Sequence, residues 1–136
     1  MDRIRVHFFW KQKQFVLKKR EKLVSFLKDN VVLTDLFPSR EALQNNPPIF
    51  DIYVTGSDQT WNPRYCYEDT SFYLSFITDK PKIAYSASFG AHSLSDDYIN
   101  YIKPFIDQYS HISTREKTGA EIVQNVFNKD AVCTCD

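Results

Sequence analysis

The run from Ile49 to Thr55 is compact, apolar and rich in β-formers, and it stops abruptly at Gly56. Such a run reads as a buried strand followed by a sharp turn. It constrains the fold because similar segments recur downstream, at Lys82-Ile83-Ala84-Tyr85, His111-Ile112-Ser113 and Ala131-Val132-Cys133. Helical patterns separate them. Ser95 with Asp96 and Asp97 has the form of a helix N-cap with acids in the first turn, and Tyr98, Ile99, Ile102 and Ile106 then supply an apolar stripe. Glu116 to Phe127 reads as a further helix. Strands alternating with helices predict βαβ units, hence an α/β fold with a parallel sheet flanked by helices.

The leading part is different. Residues from about 11 to 28 read as a helix, with Phe15, Val16, Leu23, Phe26 and Leu27 at near-helical spacing and Asp29-Asn30 as its stop. Pro38-Ser39 can open a short helix containing Glu41-Ala42-Leu43, and Asn45-Asn46-Pro47-Pro48 is a break. The chain therefore divides into a helical lead-in, residues 1–49, and an α/β portion, residues 50–136. Within the latter, residues 60–80 are irregular and aromatic, carrying Trp61, Tyr65, Tyr67, Phe72, Tyr73 and Phe76.

Charge is balanced overall but not along the chain: residues 1–40 hold ten Lys/Arg against four Asp/Glu, and the remainder holds seven against thirteen. Nothing global points to nucleic acid. The basic lead-in is either a solvated helix face or a surface suited to phosphates or a membrane. No stretch of about 18 apolar residues is present to span a bilayer. Three cysteines make no even disulfide framework and fit a reducing, cytoplasmic compartment.

In open α/β sheets ligands bind beyond the carboxyl ends of the strands, which singles out three segments. Gly56-Ser57-Asp58-Gln59 is either a capped turn, with Trp61 buried behind it, or a loop whose polar groups bond sugar hydroxyls while Trp61 packs on a sugar face. Tyr85 to Gly90, containing Ser86, Ser88 and Gly90, is either close packing under a helix or a set of accessible N–H groups for an anion. It is neither a nucleophile elbow nor a P-loop. Ser113-Thr114-Arg115-Glu116 places an arginine at a strand end, either paired with Glu116 or free to clamp a carboxylate or phosphate. His7, His92 and His111 are isolated, His92 being the one near Gly90; Cys133-x-Cys135 reads as strand residues rather than half a zinc site.

Taken together, Asp51 to Pro63, Lys82 to Gly90 and Ile112 to Gly119 are similar to the polysaccharide pyruvyl transferase family, and the likeness extends from about residue 18 onward. The resemblance implies a partial Rossmann-like sheet, within the N-terminal half of a GT-B-like two-domain enzyme. It implies transfer of a pyruvyl group from phosphoenolpyruvate to a sugar of a surface polysaccharide, as a ketal, on a glycan or lipid-linked acceptor. Phosphoenolpyruvate is the donor substrate and no cofactor or metal is expected. Arg115 is then the residue expected to grip the donor anion, with Gly56, Ser57, Asp58, Gln59, Ser88 and Gly90 lining the crevice. By the resemblance, the family's opening strand and glycine loop find no counterpart here, Asp136 is a candidate for the aspartate of a Val-x-x-Asp-Pro element, and a second domain is expected to be missing. A fragment with little activity alone is therefore expected, in the cytoplasm or at the inner face of the membrane, self-associating through exposed sheet edges. Two further readings stand beside it: an inactive remnant or interaction module, and a GT-B glycosyltransferase using a nucleotide sugar.

Overall fold

The computed structural model describes residues 2–66 and 69–135, with side chains described from residue 15 onward. Asp136 and Tyr67 lie outside the described residues, as does the side chain of His7. The chain forms two compact units, Met1–Leu36 and Phe37–Asp136.

The first unit is a single helix, α1 (Asp2–Asn30), followed by extended chain. Its segment contains no Gly or Pro and is rich in Lys, Arg and Leu, which lose little freedom in a helix. The end is satisfied locally: the Asn30 side-chain amide donates to the Phe26 carbonyl at 2.9 Å, and Val31 N–H donates to Leu27. The apolar stripe expected here is not buried, for Phe15, Val16, Leu23 and Phe26 are all more than half exposed. At about 100° per residue, the apolar positions from Phe15 to Leu27 spread over roughly 200° of the helix surface, too broad for one narrow seam. Among the described residues no helix is long and apolar enough to cross a membrane.

The second unit is the α/β portion. It begins with α2 (Arg40–Asn45), whose N-cap Ser39 accepts from Ala42 N–H at 3.1 Å. Then follow β1 (Tyr53–Thr55), α3 (Pro63–Cys66), a 3₁₀ turn (Thr70–Tyr73), β2 (Lys82–Ala87), α4 (Asp96–Ile106), β3 (Tyr109–Thr114), α5 (Lys117–Phe127) and β4 (Val132–Cys133). The sheet is wholly parallel with order β1-β2-β3-β4, so the expected α/β architecture with a flanked parallel sheet is what forms. Ser95 caps α4 through Tyr98 N–H, and Asn128 ends α5 in the left-handed region with its N–H on Val123.

Strand β1 is shorter than the apolar run that announces it. Ile49 and Phe50 are exposed, and the chain before Tyr53 folds back over that ring, with the Tyr53 hydroxyl donating to Pro48 O and accepting from Phe50 N–H. It is also buried on one side only: Tyr53 and Thr55 are covered while Val54 is 57% exposed. The topology explains this. A sequential parallel order with right-handed crossovers sends every connection over the same face. Tyr85 and Val132 accordingly remain exposed as well.

The covered face holds an aromatic core. Trp61 is fully buried, stacked on Tyr73 with ring centroids 5.8 Å apart and planes within 7°, and meets Tyr109 edge-on at 5.4 Å. Tyr98 O–H is within 2.6 Å of the Tyr73 hydroxyl and donates to the Trp61 carbonyl at 3.1 Å. The irregular segment between β1 and β2 thus acts as a core plug in place of a long crossover helix. Each such ring contributes about 1.5–3 kcal/mol of burial, which holds a segment with little regular backbone bonding.

Candidate site at the carboxyl edge of the sheet

The ends of β1, β2 and β3 are adjacent because the strands are adjacent. Backbone bonds fasten the first two loops: Ser88 N–H donates to Asp58 O at 2.9 Å, and Trp61 N–H donates to Ser88 O at 3.1 Å. Gly56 makes this approach feasible. Its φ is +120°, and a Cβ there would fall 1.8 Å from the Tyr85 carbonyl oxygen.

Strand β2 departs from regular register before reaching the edge, with a shift between Ala84 and Ala87. Buried Ser86 sits there at φ +47°, a conformation costing roughly 1–2 kcal/mol for an L-residue. Three hydrogen bonds hold it: its N–H donates to Ser113 Oγ at 3.0 Å, and its hydroxyl meets Thr134 Oγ1 and Cys135 O, each at 2.9 Å. Strained residues of this kind gather at functional edges.

Arg115 leaves β3 with its own N–H donating to Ala87 O at 3.1 Å. Its guanidinium Nε is 3.3 Å from Glu116 Oε1, and a terminal nitrogen is 3.6 Å from Asp58 Oδ1. Glu116 is the N-cap residue of α5 but makes no capping bond. Its carboxylate instead accepts from Ser88 Oγ at 2.8 Å, while that hydroxyl accepts from Gly90 N–H at 3.0 Å. One chain of contacts therefore joins all three strand ends: Gly90, Ser88, Glu116, Arg115 and Asp58.

The residues singled out from sequence do not share one environment. Gly56, Ser57, Asp58 and Gly90 are exposed, and the Arg115 side chain is 29% exposed. Gln59 is half-buried and its Oε1 accepts from Asn62 Nδ2 at 2.6 Å. Ser88 is fully buried, with its hydroxyl wholly engaged by Glu116 and Gly90. Trp61 is buried and has no face to offer a sugar, which corrects that reading in favour of a core role. His92 is exposed and lines a shallow cleft with Leu94, Ile99 and Glu121, between α4 and α5. Cys133 Sγ approaches the Arg115 carbonyl at 3.5 Å. Among the described residues no group of three His, Cys, Asp or Glu could hold a metal ion.

Two participants were not legible from sequence as more than neighbours. Glu116 appears there only as a salt-bridge partner, although its contact with Ser88 spans 28 positions. Asn62 follows Trp61 in the motif, and it fixes Gln59 while its Oδ1 caps α3 through Arg64 N–H at 2.9 Å.

The chain is an α/β protein with an all-parallel sheet, and an arginine in contact with two carboxylates stands at its carboxyl edge, the edge at which open α/β sheets bind ligands. The particular family follows from comparison: residues 3–136 match the family model of polysaccharide pyruvyl transferase, and the chain belongs to that family. No curated protein and no solved structure matches it.

Proposed function

We propose that the Arg115 edge binds phosphoenolpyruvate for transfer of its pyruvyl group to a sugar, as a ketal across two hydroxyls. The observation that carries this reading is the asymmetric restraint on Arg115. Glu116 is fixed by buried Ser88 and orients the guanidinium, whereas the contact to Asp58 is long, 3.6 Å, and the Asp58 side chain is 81% exposed. Exposed pairs of this sort are worth about 0–1 kcal/mol. A carboxylate or phosphate can replace Asp58 at little cost and form two parallel charge-assisted bonds.

The reaction needs such a grip. The donor's enol carbon gains a proton, an oxocarbenium-like centre forms at its neighbour, and the acceptor hydroxyls add there. Two carbon–oxygen bonds form and the bond between that carbon and the phosphate-bearing oxygen breaks; of the two protons the hydroxyls give up, one offsets the proton gained by the enol carbon and the other leaves with inorganic phosphate. A fixed cation lowers the barrier by holding the anion in place and stabilising the departing phosphate. Gly56 and Gly90 keep the backbone low at the edge. Ser88 acts through Glu116 as a positioning residue, and Ser57, Asp58 and Gln59 form the rim.

The acceptor in this reading is a glycan or lipid-linked sugar, met in the cytoplasm or at the inner face of the membrane. The basic bias of residues 1–40 suits an anionic surface. Self-association would run through the outer edges of β1 and β4.

Titration calorimetry of the full chain with phosphoenolpyruvate tests the donor assignment. Arg115→Ala is expected to weaken binding roughly ten- to a hundredfold, the worth of a charge-assisted bond. Unchanged affinity in that variant, or no binding by the unmodified chain, would refute the assignment.

A further inference from the structure

We infer that a cleft beside the β1 turn binds the acceptor sugar, with Tyr65 as the platform for a pyranose ring. This rests on the pyruvyl-transfer reading and extends it by placing the second substrate. The cleft has a volume of about 390 Å³ and is lined by Asp58, Gln59, Thr60, Tyr65, Cys66 and Phe72. That is within the range of small-molecule sites, which starts near about 300 Å³.

The distribution of aromatic rings is the first observation. Trp61 and Tyr73 are completely buried, whereas Tyr65 is 75% exposed and Phe72 is 41% exposed. Isolated exposed rings are ordinary, but these two line one concavity whose remaining wall is polar. Tyr65 is also fixed from behind, its N–H donating to Asn62 O at 3.0 Å at the start of α3. The ring stands out from an anchored backbone.

The polar wall is the second. Asp58 Oδ1 accepts from Gln59 N–H at 2.8 Å, which orients a carboxylate that is otherwise open to solvent. Gln59 is held by Asn62, and the buried Cys66 thiol donates to the Gln59 carbonyl at 3.9 Å, tying the floor to the wall. A pyranose presents an apolar face of C–H groups and a rim of hydroxyls. It needs an aromatic surface on one side and fixed acceptors on the other, and this cleft supplies both.

Continuity with the donor edge is the third. Asp58 lines the cleft and also pairs with Arg115. A sugar stacked on Tyr65 with its hydroxyls on Asp58 therefore lies next to the anion gripped by Arg115. When the donor displaces Asp58 from the guanidinium, that carboxylate is released toward the acceptor hydroxyls. Donor arrival thus readies the acceptor contact.

The test is a pair of NMR titrations on the ¹⁵N-labelled full chain, one with methyl glycosides of glucose, galactose and mannose, the other with phosphoenolpyruvate. At least one glycoside is expected to shift the amides of Gln59, Thr60 and Tyr65. Tyr65→Ala is expected to weaken that binding about tenfold, the upper end of an aromatic contact, while Tyr65→Phe retains it. Because Tyr65 is exposed, the alanine variant keeps its fold, and an unchanged amide spectrum away from the cleft verifies this. Absence of glycoside shifts, or equal binding by Tyr65→Ala, overturns the inference even where phosphoenolpyruvate binds through Arg115. Glycoside binding that depends on Tyr65 upholds the cleft even where phosphoenolpyruvate fails to bind, and then the donor reading is what falls. Tyr65-dependent binding of uridine diphosphate with no glycoside response overturns it in favour of a nucleotide site.

Discussion

Substituting Gly90 by alanine probes the close packing of side chains at the carboxyl edge. Gly90 has φ +58°, and a Cβ there would lie 2.5 Å from Asn62 Nδ2 and 2.7 Å from Gln59 Oε1. Those two atoms are themselves hydrogen-bonded at 2.6 Å, and Asn62 is only 5% exposed. Two costs follow. The left-handed backbone costs an alanine roughly 1–2 kcal/mol. Prising apart the amide pair leaves a buried Asn62 donor unsatisfied, at about 1–3 kcal/mol. Asn62 cannot simply swing aside, because its Oδ1 is held by Arg64 N–H. Gly90→Ala is thus expected to destabilise the second unit by about 2–5 kcal/mol. Urea unfolding followed by near-ultraviolet circular dichroism measures this, since Trp61 stacked on Tyr73 gives the packed core a signal. A double-mutant cycle separates the two costs. In a Gln59→Ala background the amide pair is already gone, so Gly90→Ala should cost less by the worth of that pair, about 1–3 kcal/mol, leaving the backbone cost and the contact with Asn62 Nδ2. A cost below about 0.5 kcal/mol in the original background, or the same cost in both, would refute the reasoning.

Two further outcomes are expected. Cys66 is buried and its thiol pKa is raised by that burial, with Asp69 adding to the effect, while Cys133 and Cys135 are exposed; iodoacetamide followed by mass spectrometry should label the latter two in the native chain, and Cys66 only after denaturation. Lys82 is 1% exposed, donates to Gln108 Oε1 at 2.6 Å, and has its pKa lowered from 10.5 by burial. The folded chain then binds fewer protons than the unfolded chain between the lowered value and 10.5, so stability rises with pH across that window. Lys82→Met should raise the urea midpoint at neutral pH and flatten this rise. Above the ordinary tyrosine value of 10.0 an opposing contribution sets in, because burial raises the pKa of Tyr73 and Tyr109.

Elements whose signals are local were legible. Ser95 caps α4 as read, and Tyr98, Ile102 and Ile106 are its buried stripe. Strands β2 and β3 lie where short apolar runs predict them, each extended at its ends by pairing that no single strand can announce. The failures are tertiary. Ile49 to Thr55 looks uniformly apolar, and only strand order decides that Val54 faces outward. Trp61 next to Asn62 suits a sugar or a core equally well until Tyr73, twelve positions on, supplies its stacking partner. In the lead-in, near-helical spacing announces a helix over about 11–28 and the helix runs over Asp2–Asn30, but the spread of its apolar residues around the surface leaves the expected stripe exposed.

At the site the glycines were legible and the carboxylate network was not, and the difference is physical. A glycine ending an apolar run signals a backbone need that belongs to one position. Gly56 and Gly90 both prove to have positive φ and no room for a Cβ. The role of Ser88 depends instead on Glu116, 28 residues away, and through it on the aim of Arg115. Below them Ser86 joins Ser113 of β3 to Thr134 and Cys135 just past β4, so its strained backbone is clamped from β3 and from the segment that follows β4. Orientation at this edge is therefore set from underneath, by buried serines. The side chains of Asp58, Glu116 and Arg115 reach solvent there, Asp58 by far the most. Asp58 is the pivotal member, because it is weakly paired to the cation and also forms the wall of the cleft under Tyr65. On the proposed reading, an anion bound by Arg115 would free this carboxylate for the cleft.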